Sequence, residues 1–325
     1  NDHGMETKVE NDLRVFPVSN KAQSVWNVLS EYMKDGKVSI KTGSPVESFI
    51  TSSKKIISGV KLSNGDIIYG KSFILATGGK SHPETGSTGD GFGWLRSLDH
   101  TVIDTAPALV PLKLSDPWVE KLQGVSIPKV RFGVFQNDKR QAVHKGKLLF
   151  THFGISGPTV LNMSNHVREL LEYGTVTIVA DLLPVLDHKR TDVTVQNIFK
   201  THSNKMFKNI TTDFLPTAIL QVLGELAGID KKTPCHSINR EERLQLVQFL
   251  KALPLHVSAV LGIEKAVVTS GGIVLEEVDF KTMRSGKIVN LYLTGDILNI
   301  ARPSGGYSLQ LCWTTGFVAG KHAVK

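Results

Sequence analysis

Residues 72–94 read Ser-Phe-Ile-Leu-Ala-Thr-Gly-Gly-Lys-Ser-His-Pro-Glu-Thr-Gly-Ser-Thr-Gly-Asp-Gly-Phe-Gly-Trp, and this stretch decides the fold. The apolar run 73–75 has the length of a buried strand and passes directly into Gly78-Gly79. Four more glycines precede Trp94, where a helical pattern begins. Glycines let backbone amides approach a phosphate or a flat ring, and a helix N-terminus adds partial positive charge. The stretch therefore predicts a sheet edge that holds a nucleotide cofactor.

A matching element lies near the other end of the chain. Leu291–Thr294 is another short apolar run that ends in Gly295-Asp296, and Gly305-Gly306 follows before a second helical pattern. Glycines that only form turns are the alternative for either cluster alone. Because the same strand-to-glycine arrangement occurs twice, we expect the two stretches to converge in space around one cofactor.

Composition and length indicate a globular protein of two or three domains. The chain has 325 residues, of which 41% are hydrophobic and 21% are charged. The longest apolar runs span four or five residues, too few to cross a membrane, and no charged-then-apolar leader opens the sequence. We therefore expect a cytoplasmic protein without a membrane partner.

Cysteine and histidine spacing gives no sign of a metal centre. Cys235 and Cys312 are 77 positions apart, and the eleven histidines form no His-x-x-x-His or His-Glu-x-x-His pattern. We therefore expect no bound metal and no thiol chemistry.

The formal net charge of +8 admits an anionic partner such as RNA or a phosphate-bearing cofactor. Basic residues concentrate between His188 and Lys208, but aromatic residues are sparse among them. A solvated helix surface is the favoured interpretation of this segment, so nucleic acid is not the partner we expect.

Local patterns predict the remaining elements. A helix is expected over Lys21–Lys34, capped at Ser19, followed by a strand at Val38–Ile40. Three short β runs between Val46 and Tyr69, with an Asn64-Gly65 turn, predict an antiparallel meander. The segment Val110–Asp181 is β-rich apart from one helical pattern, helical spacing dominates from Asp187 to about Leu253, and short strands return after Val257.

Six motifs in order along the chain resemble those of the BaiN/YhiN-type flavoproteins, which include aminoacetone-oxidase-like and bile-acid-reductase-like members. More distantly, the chain resembles the fumarate reductase and L-aspartate oxidase superfamily. The motifs are Arg14-Val15-Phe16-Pro17, Gly78-Gly79-Lys80-Ser81, Gly86-Ser87-Thr88-Gly89-Asp90-Gly91, Pro107-Ala108-Leu109-Val110-Pro111-Leu112, Thr151-His152-Phe153-Gly154-Ile155-Ser156-Gly157-Pro158 and Gly305-Gly306-Tyr307.

The resemblance implies an α/β fold in which a split, Rossmann-like FAD-binding domain carries an inserted β-barrel-like domain with a helical subdomain. We expect the FAD-binding domain at 1–110 and 285–325, the β-rich domain at 111–186 and 257–284, and the helical insert at 187–256. The family's N-terminal Gly-x-Gly-x-x-Gly unit is absent from this sequence. On this interpretation the chain begins after its own first βαβ unit, with roughly thirty or more residues lacking.

FAD is the implied cofactor, and the residues expected to contact it fall in the two glycine-bearing stretches. Asp296, where Glu is more usual in the family, is expected to hold the ribityl chain, and the amides around Gly306 are expected to face the flavin ring. The predicted cofactor-binding residues are Thr77, Gly78, Gly79, Thr88, Gly89, Asp90, Gly91, Gly295, Asp296, Gly305, Gly306, Tyr307, Ser308 and Leu309.

Two side chains are candidates for catalysis. His82 lies in the glycine loop, and histidine is the side chain best suited to exchange protons at physiological pH, so it is a candidate acid or base, with an ordinary loop histidine as the alternative. Arg302 precedes the second helix and is a candidate for contacting an anionic substrate.

The leading hypothesis is an FAD-dependent oxidoreductase that transfers a hydride between flavin and a small organic substrate, with nicotinamide or oxygen as candidate electron partners. Two alternatives stay open, namely a flavoprotein-derived module that binds a partner such as RNA and an inactive truncated fragment.

Overall fold

The computed structural model describes residues 4–10, 13–53 and 55–324. Its helices are α1 (Ala22–Asp35), α2 (Asp90–Ser97), α3 (Pro158–Leu171), α4 (His188–Thr201), α5 (Thr217–Leu226), α6 (Arg240–Lys251) and α7 (Tyr307–Ala323). Its strands are β1 (Thr7–Val9), β2 (Val15–Pro17), β3 (Val46–Ser53), β4 (Ile56–Leu62), β5 (Ile67–Tyr69), β6 (Phe73–Leu75), β7 (Val102–Ala108), β8 (Leu112–Leu114), β9 (Ser126–Gln136), β10 (Lys139–Thr151), β11 (Gly154–Ser156), β12 (Val176–Asp181), β13 (Leu253–Val260), β14 (Val268–Ile273), β15 (Val278–Asp279), β16 (Arg284–Ser285) and β17 (Leu291–Leu293).

The two apolar runs that the sequence singles out are neighbouring parallel strands. In the four-stranded sheet β15-β16-β17-β6, Leu291 lies opposite Phe73 and Leu293 lies opposite Leu75. Both leucines of β17 are fully buried, as expected for a central strand. The Thr294 amide donates to the Leu75 carbonyl at 3.1 Å, so the pairing continues to the point where both strands end. The two glycine-bearing stretches therefore leave the sheet side by side.

The predicted meander is confirmed as the three-stranded antiparallel sheet β3-β4-β5. The Asn290 side chain, just before β17, donates to the Ile57 carbonyl at 2.7 Å and accepts from the Ile57 amide at 3.0 Å. Phe49 of β3 packs edge-on against Phe73 and Trp94, with ring centroids 6.3 and 5.9 Å away. These contacts attach the meander to the parallel strands and to α2.

The middle of the chain forms a closed six-stranded barrel in the order β10-β11-β8-β13-β12-β9. Its interior is apolar, and Phe132, Phe150 and Ile178 are among its fully buried side chains. Helices α4, α5 and α6 pack against the same core, so barrel and helical region bury their apolar faces together. Helix α6 begins with a capping box between Asn239 and Glu242.

The chain therefore contains a Rossmann-like α/β region around the two parallel strands, a closed barrel and a helical region. Strand β13 begins at Leu253 and belongs to the barrel, whereas β14 lies outside it and pairs with β7 in a two-stranded sheet. The exact division of the chain into three domains stays a prediction.

The helix predicted at Lys21–Lys34 is confirmed as α1, although its N-cap is Lys21 rather than Ser19. The strand predicted at Val38–Ile40 is wrong. These residues are exposed and pair with no strand in the described part of the chain, and alternation over three residues cannot specify a strand without a partner. Within the described residues, no helix is both long enough and apolar enough to span a bilayer.

Candidate active site

The end of β6 packs directly against the start of α2. A Cβ added to Gly91, the second residue of α2, would lie 2.3 Å from Thr77 Oγ1 and 3.0 Å from Ile297 Cδ1. Thr77 follows β6, and Ile297 follows β17. Glycine at 91 therefore lets the ends of both strands and the helix N-terminus meet at one point. This contact brings the two predicted stretches together.

The loop after β6 is held by a side chain from β14. The Thr269 hydroxyl oxygen accepts from the Lys80 amide at 2.7 Å and from the Ser81 amide at 3.1 Å. A Cβ added to Gly79 would lie 2.4 Å from this oxygen. Glycine at 79 is therefore required for the close approach. Sequence analysis missed Thr269, because it is 188 residues or more from its partners and no local pattern marks it.

The stretch after β17 contains a buried ion pair between two of the predicted site residues. The Arg302 guanidinium contacts the Asp296 carboxylate and also donates to Ser308 Oγ at 2.9 Å and to the Ile300 carbonyl at 2.7 Å. Only 4% of the Arg302 side chain is exposed, so in this structure it is occupied by protein partners. Burial raises the pKa of Asp296, and the charge of Arg302 opposes that rise.

Helix α7 starts without a side-chain cap. Its N-cap Gly306 has a φ of 98°, the preceding Gly305 has a φ of 116°, and a Cβ added to Gly306 would meet no atom within 4 Å. Both backbone conformations favour glycine. Tyr307 and Leu309 are 58% exposed. The first amides of α7 are therefore open to an anionic or electron-rich ligand.

A cavity of about 500 Å³ lies between the meander, β6 and the start of α2. Thr77, Thr88 and Asp90 supply its polar groups, and Phe49, Phe73 and Trp94 are among its apolar lining. Thr77 Oγ1 is buried and has no hydrogen-bond partner in the described structure, whereas Thr88 Oγ1 donates to Asp90 at 2.7 Å. A buried hydroxyl group without a hydrogen-bond partner destabilises the folded protein unless a ligand supplies that partner.

His82 stands apart from this cavity. Its backbone is left-handed with a φ of 56°, 47% of its side chain is exposed, and its Nδ1 lies 2.9 Å from Glu84. The hydrogen bonds of a backbone amide and of His82 lower the pKa of Glu84. Of the two candidate catalytic residues, His82 is therefore accessible and Arg302 is not.

The barrel contacts the site through α3. The Ser304 amide donates to Asn162 Oδ1 at 2.8 Å, and Ser304 Oγ donates to the Pro158 carbonyl at 3.3 Å. Pro158 begins α3 and follows the Ser156-Gly157 motif. Asn162 is a second site residue that the sequence did not reveal, because an isolated asparagine on a helix has no distinguishing pattern.

The family model of the HI0933-like protein Rossmann domain matches residues 1–322. The chain belongs to this family. Its members are FAD-binding Rossmann-like oxidoreductases, and the resemblance found in the sequence is confirmed. FAD is the cofactor of the family fold.

Three proteins similar to this chain differ in identity and coverage. A 3-dehydro-bile acid delta(4,6)-reductase of Clostridium scindens is 30% identical over 316 residues, which cover 96% of this chain and 75% of that protein. A ribosomal RNA dihydrouridine synthase of Escherichia coli is 27% identical over 333 residues, covering all of this chain and 77% of that protein. A solved flavocytochrome c3 fumarate reductase in an open conformation has a TM-score of 0.47 at 14% identity, over all of this chain and 61% of its own.

The residues present fit a flavin. The buried Thr77 hydroxyl has no partner, the first amides of α7 are open, and the glycines at 78, 305 and 306 let a flat polar ring approach the backbone. The assignment of individual residues to the cofactor stays a proposal.

Proposed function

We propose that this protein is an FAD-dependent reductase that delivers a hydride to an electron-poor carbon–carbon double bond. The observation that supports this most is the meeting of the ends of β6 and β17 with the N-terminus of α2 at one edge of the sheet. The start of α7 is linked to the residues after β17 through Arg302, which contacts Asp296 and donates to Ser308. Open α/β sheets bind their ligands at such an edge. Bound FAD would supply the hydride chemistry, and the chain would supply position and polarity.

The residues proposed to hold the cofactor act in two groups. The backbone at Thr77, Gly78 and Gly79, with the turn from Thr88 to Gly91, would lie against the cofactor on the β6 side. Gly295, Asp296 and the amides of Gly305 to Leu309 would hold it on the β17 side. The N-terminus of α7 favours negative charge by about 0.3–2 kcal/mol, which suits a flavin ring that becomes more electron-rich on reduction.

Arg302 is proposed to position Asp296 and Ser308 rather than to touch substrate. Its guanidinium bonds both side chains and is almost fully buried. His82 remains the proposed proton donor, because it is the histidine of the glycine loop and its side chain is accessible. Reduction of a double bond needs one hydride and one proton, so the site requires such a donor or a water molecule.

The choice of substrate bond follows from the two curated relatives. One is named for reducing a delta(4,6) bile acid and the other for forming dihydrouridine, and both reactions saturate a carbon–carbon double bond. In each case the double bond is conjugated to a carbonyl, which accepts the electron density that the hydride brings. A small enone is the first candidate substrate, and a uridine in RNA is the second.

Reoxidation of the reduced flavoprotein tests the proposal. The FAD-loaded protein is reduced with dithionite without oxygen and mixed with a 3-oxo-Δ4 steroid or with a uridine-containing RNA. Recovery of the oxidised flavin spectrum with one of them is expected, together with a product that is heavier by two hydrogens. Failure of both to reoxidise the flavin would contradict the proposed reaction.

A matched pair of variants tests the site. Gly306→Val forces a branched side chain into a left-handed conformation at the start of α7, whereas Gly320→Ala adds a methyl group to open space on the same helix. We expect Gly306→Val to lose most flavin affinity and Gly320→Ala to retain it, as measured by quenching of flavin fluorescence.

A further inference from the structure

The strand pair β9 and β10 has a strongly basic outer face, which we call the basic ribbon. The two strands, of 11 and 13 residues, contain six Lys or Arg residues and no Asp or Glu, and five of the six cations lie on this face. The six are Lys129, Arg131, Lys139, Arg140, Lys145 and Lys147. Since the whole chain has a net charge of only +8, most of its excess positive charge is located on this ribbon.

The geometry of the ribbon presents these cations together. Arg131 lies directly opposite Lys145 in the register of the two strands. Side chains alternate between the two faces of a strand, and Phe132, Val134 and Leu148 are buried in the barrel, so five of the cations point outward. The sixth, Lys139, directly precedes Arg140 and pairs with Gln136, so it lies on the other face at the hairpin end. Cations on one face of a strand are about 6.7 Å apart, which gives a line of charge rather than a single point.

None of the six cations is neutralised within the described residues. The ion pairs of the described structure do not include any of them. Asp181 lies opposite Arg131, but Lys251 Nζ holds both of its carboxylate oxygens at 2.8 Å. Asp138 lies in the turn between the strands. The positive charges of the ribbon are therefore not paired with carboxylates of the described residues.

An aromatic side chain lies among the cations. A shallow cavity of about 160 Å³ is lined by Arg131, Arg140, Phe135 and Val143, with the Asp181–Lys251 pair beside it. A Cβ added to Gly133 would lie 2.8 Å from the Phe135 ring, so glycine lets the ring lie across the strand. In such an arrangement a nucleic-acid base can stack on the aromatic ring while the neighbouring arginine binds the phosphate of the same nucleotide.

One end of the ribbon adjoins the candidate active site. A Cβ added to Gly157 would lie 3.1 Å from the Lys147 carbonyl, and Gly157 precedes Pro158, the carbonyl of which accepts from Ser304. Ser304 is two residues from Gly306 at the start of α7. A strand of anionic polymer held along the ribbon would thus extend toward the cofactor site.

We propose that the basic ribbon binds single-stranded RNA, with phosphates on the cations and one base on Phe135. This departs from the sequence expectation of no nucleic-acid partner. The sequence expectation considered only the segment 188–208, in which Arg190 contacts Asp187 and Asp192 contacts Arg243. The inference goes beyond the proposed function, because binding by the ribbon does not depend on flavin chemistry.

Fluorescence anisotropy with a labelled uridine-rich RNA of about 20 nucleotides tests the ribbon. The triple variant Arg131→Gln, Lys145→Gln, Lys147→Gln is compared with Lys34→Gln, Lys41→Gln, Lys71→Gln, which removes the same charge from exposed positions elsewhere. We expect the ribbon variant to bind at least tenfold more weakly. The slope of log affinity against log salt should fall by about 2, since each phosphate contact on a single strand contributes about 0.7.

Three further measurements make the outcome decisive. The charge-conserving variant Arg131→Lys, Lys145→Arg, Lys147→Arg should bind RNA like the parent protein, which separates charge from folding. Phe135→Leu should weaken RNA binding but leave the salt slope unchanged. Equal RNA affinity of the two glutamine variants, or binding to phosphatidylserine vesicles but not to RNA, would overturn the proposal.

Discussion

His100 is a buried titratable side chain outside the candidate active site, and its hydrogen bonds fix its protonation state. The Ser285 hydroxyl oxygen accepts from the amides of Lys287 and Ile288 at 3.0 and 2.9 Å, so its proton is directed to His100 Nε2 at 2.9 Å. His100 Nδ1–H then donates to Glu277 at 2.8 Å. The imidazole is therefore neutral, and burial lowers its pKa.

This network makes stability depend on pH. Burial raises the pKa of Glu277, but hydrogen bonds from Lys287, His100 and Thr101 outweigh it and lower the pKa to about 2. The native state thus binds fewer protons than the unfolded chain, so the free energy of unfolding rises with pH. The contribution of Glu277 is fully present above pH 4.5 and is lost as the pH falls toward 2. The contribution of His100 to stability is lost as the pH falls below 6.5.

We expect Glu277→Gln to lower the free energy of unfolding at neutral pH by up to about 3 kcal/mol. Below pH 4.5 the free energy of unfolding of this variant should change less with pH than that of the parent protein. Denaturant titrations at a series of pH values measure both effects. Glu276→Gln is the control, since Glu276 is exposed. A pH profile of Glu277→Gln that matches the parent would show that the network does not stabilise the fold.

Gly91 and Gly93 provide a second test at single residues, because both lie in α2 and only one is packed against the site. Gly91→Ala would place a methyl group 2.3 Å from Thr77 Oγ1, and we expect it to destabilise the protein by about 1–3 kcal/mol and to weaken flavin binding. Gly93→Ala meets open space and should be neutral or stabilise the helix by about 0.5–1 kcal/mol. Thermal unfolding with and without FAD distinguishes the two. Equal effects would contradict the proposed contact.

At the level of elements, a buried hydroxyl is one of the links between α7 and the end of β17, alongside the Tyr292 hydroxyl, which donates to the His322 carbonyl at 3.0 Å. Thr315 Oγ1 accepts from the Gly295 amide at 3.0 Å and donates to the Leu311 carbonyl at 2.7 Å. The opposite side of α7 is open, since Trp313 and Phe317 are 47% and 74% exposed. Helix α7 therefore packs on the sheet through a narrow face, and the Thr315 contact is one of those that hold it there.

We expect Thr315→Val to cost about 1–3 kcal/mol of stability, because it leaves the buried Gly295 amide without an acceptor. Phe317→Gln on the same helix should change stability by less than about 0.5 kcal/mol. Denaturant unfolding of both variants checks the difference. A cost for Phe317→Gln as large as that for Thr315→Val would mean that the exposed side of α7 is in fact covered.

Across the whole molecule, the sequence predicted those features that local patterns encode. The parallel strands, the meander hairpin at Asn64-Gly65 and the start of α7 follow from apolar runs beside glycines, and the structure confirms these elements. The closed barrel came from the family resemblance, because β8 has only three residues and is too short to show an alternating pattern.

The rest could not be predicted, because it depends on residues far apart in the chain. Thr269 holds a loop 188 or more positions away, and His100 meets Glu277 and Ser285 across 177 and 185 positions. The basic ribbon was also missed. Its cations are spaced along two strands, and only the pairing of β9 with β10 brings five of them onto one face.

The central claim is that the strand ends at 77–91 and 295–309 hold one flavin between them. Photolabelling with 8-azido-FAD, followed by digestion and mass spectrometry, measures this directly. We predict labelled peptides from both stretches, each suppressed by excess FAD. Labelling confined to the barrel strands, or to only one of the two stretches, would contradict the account.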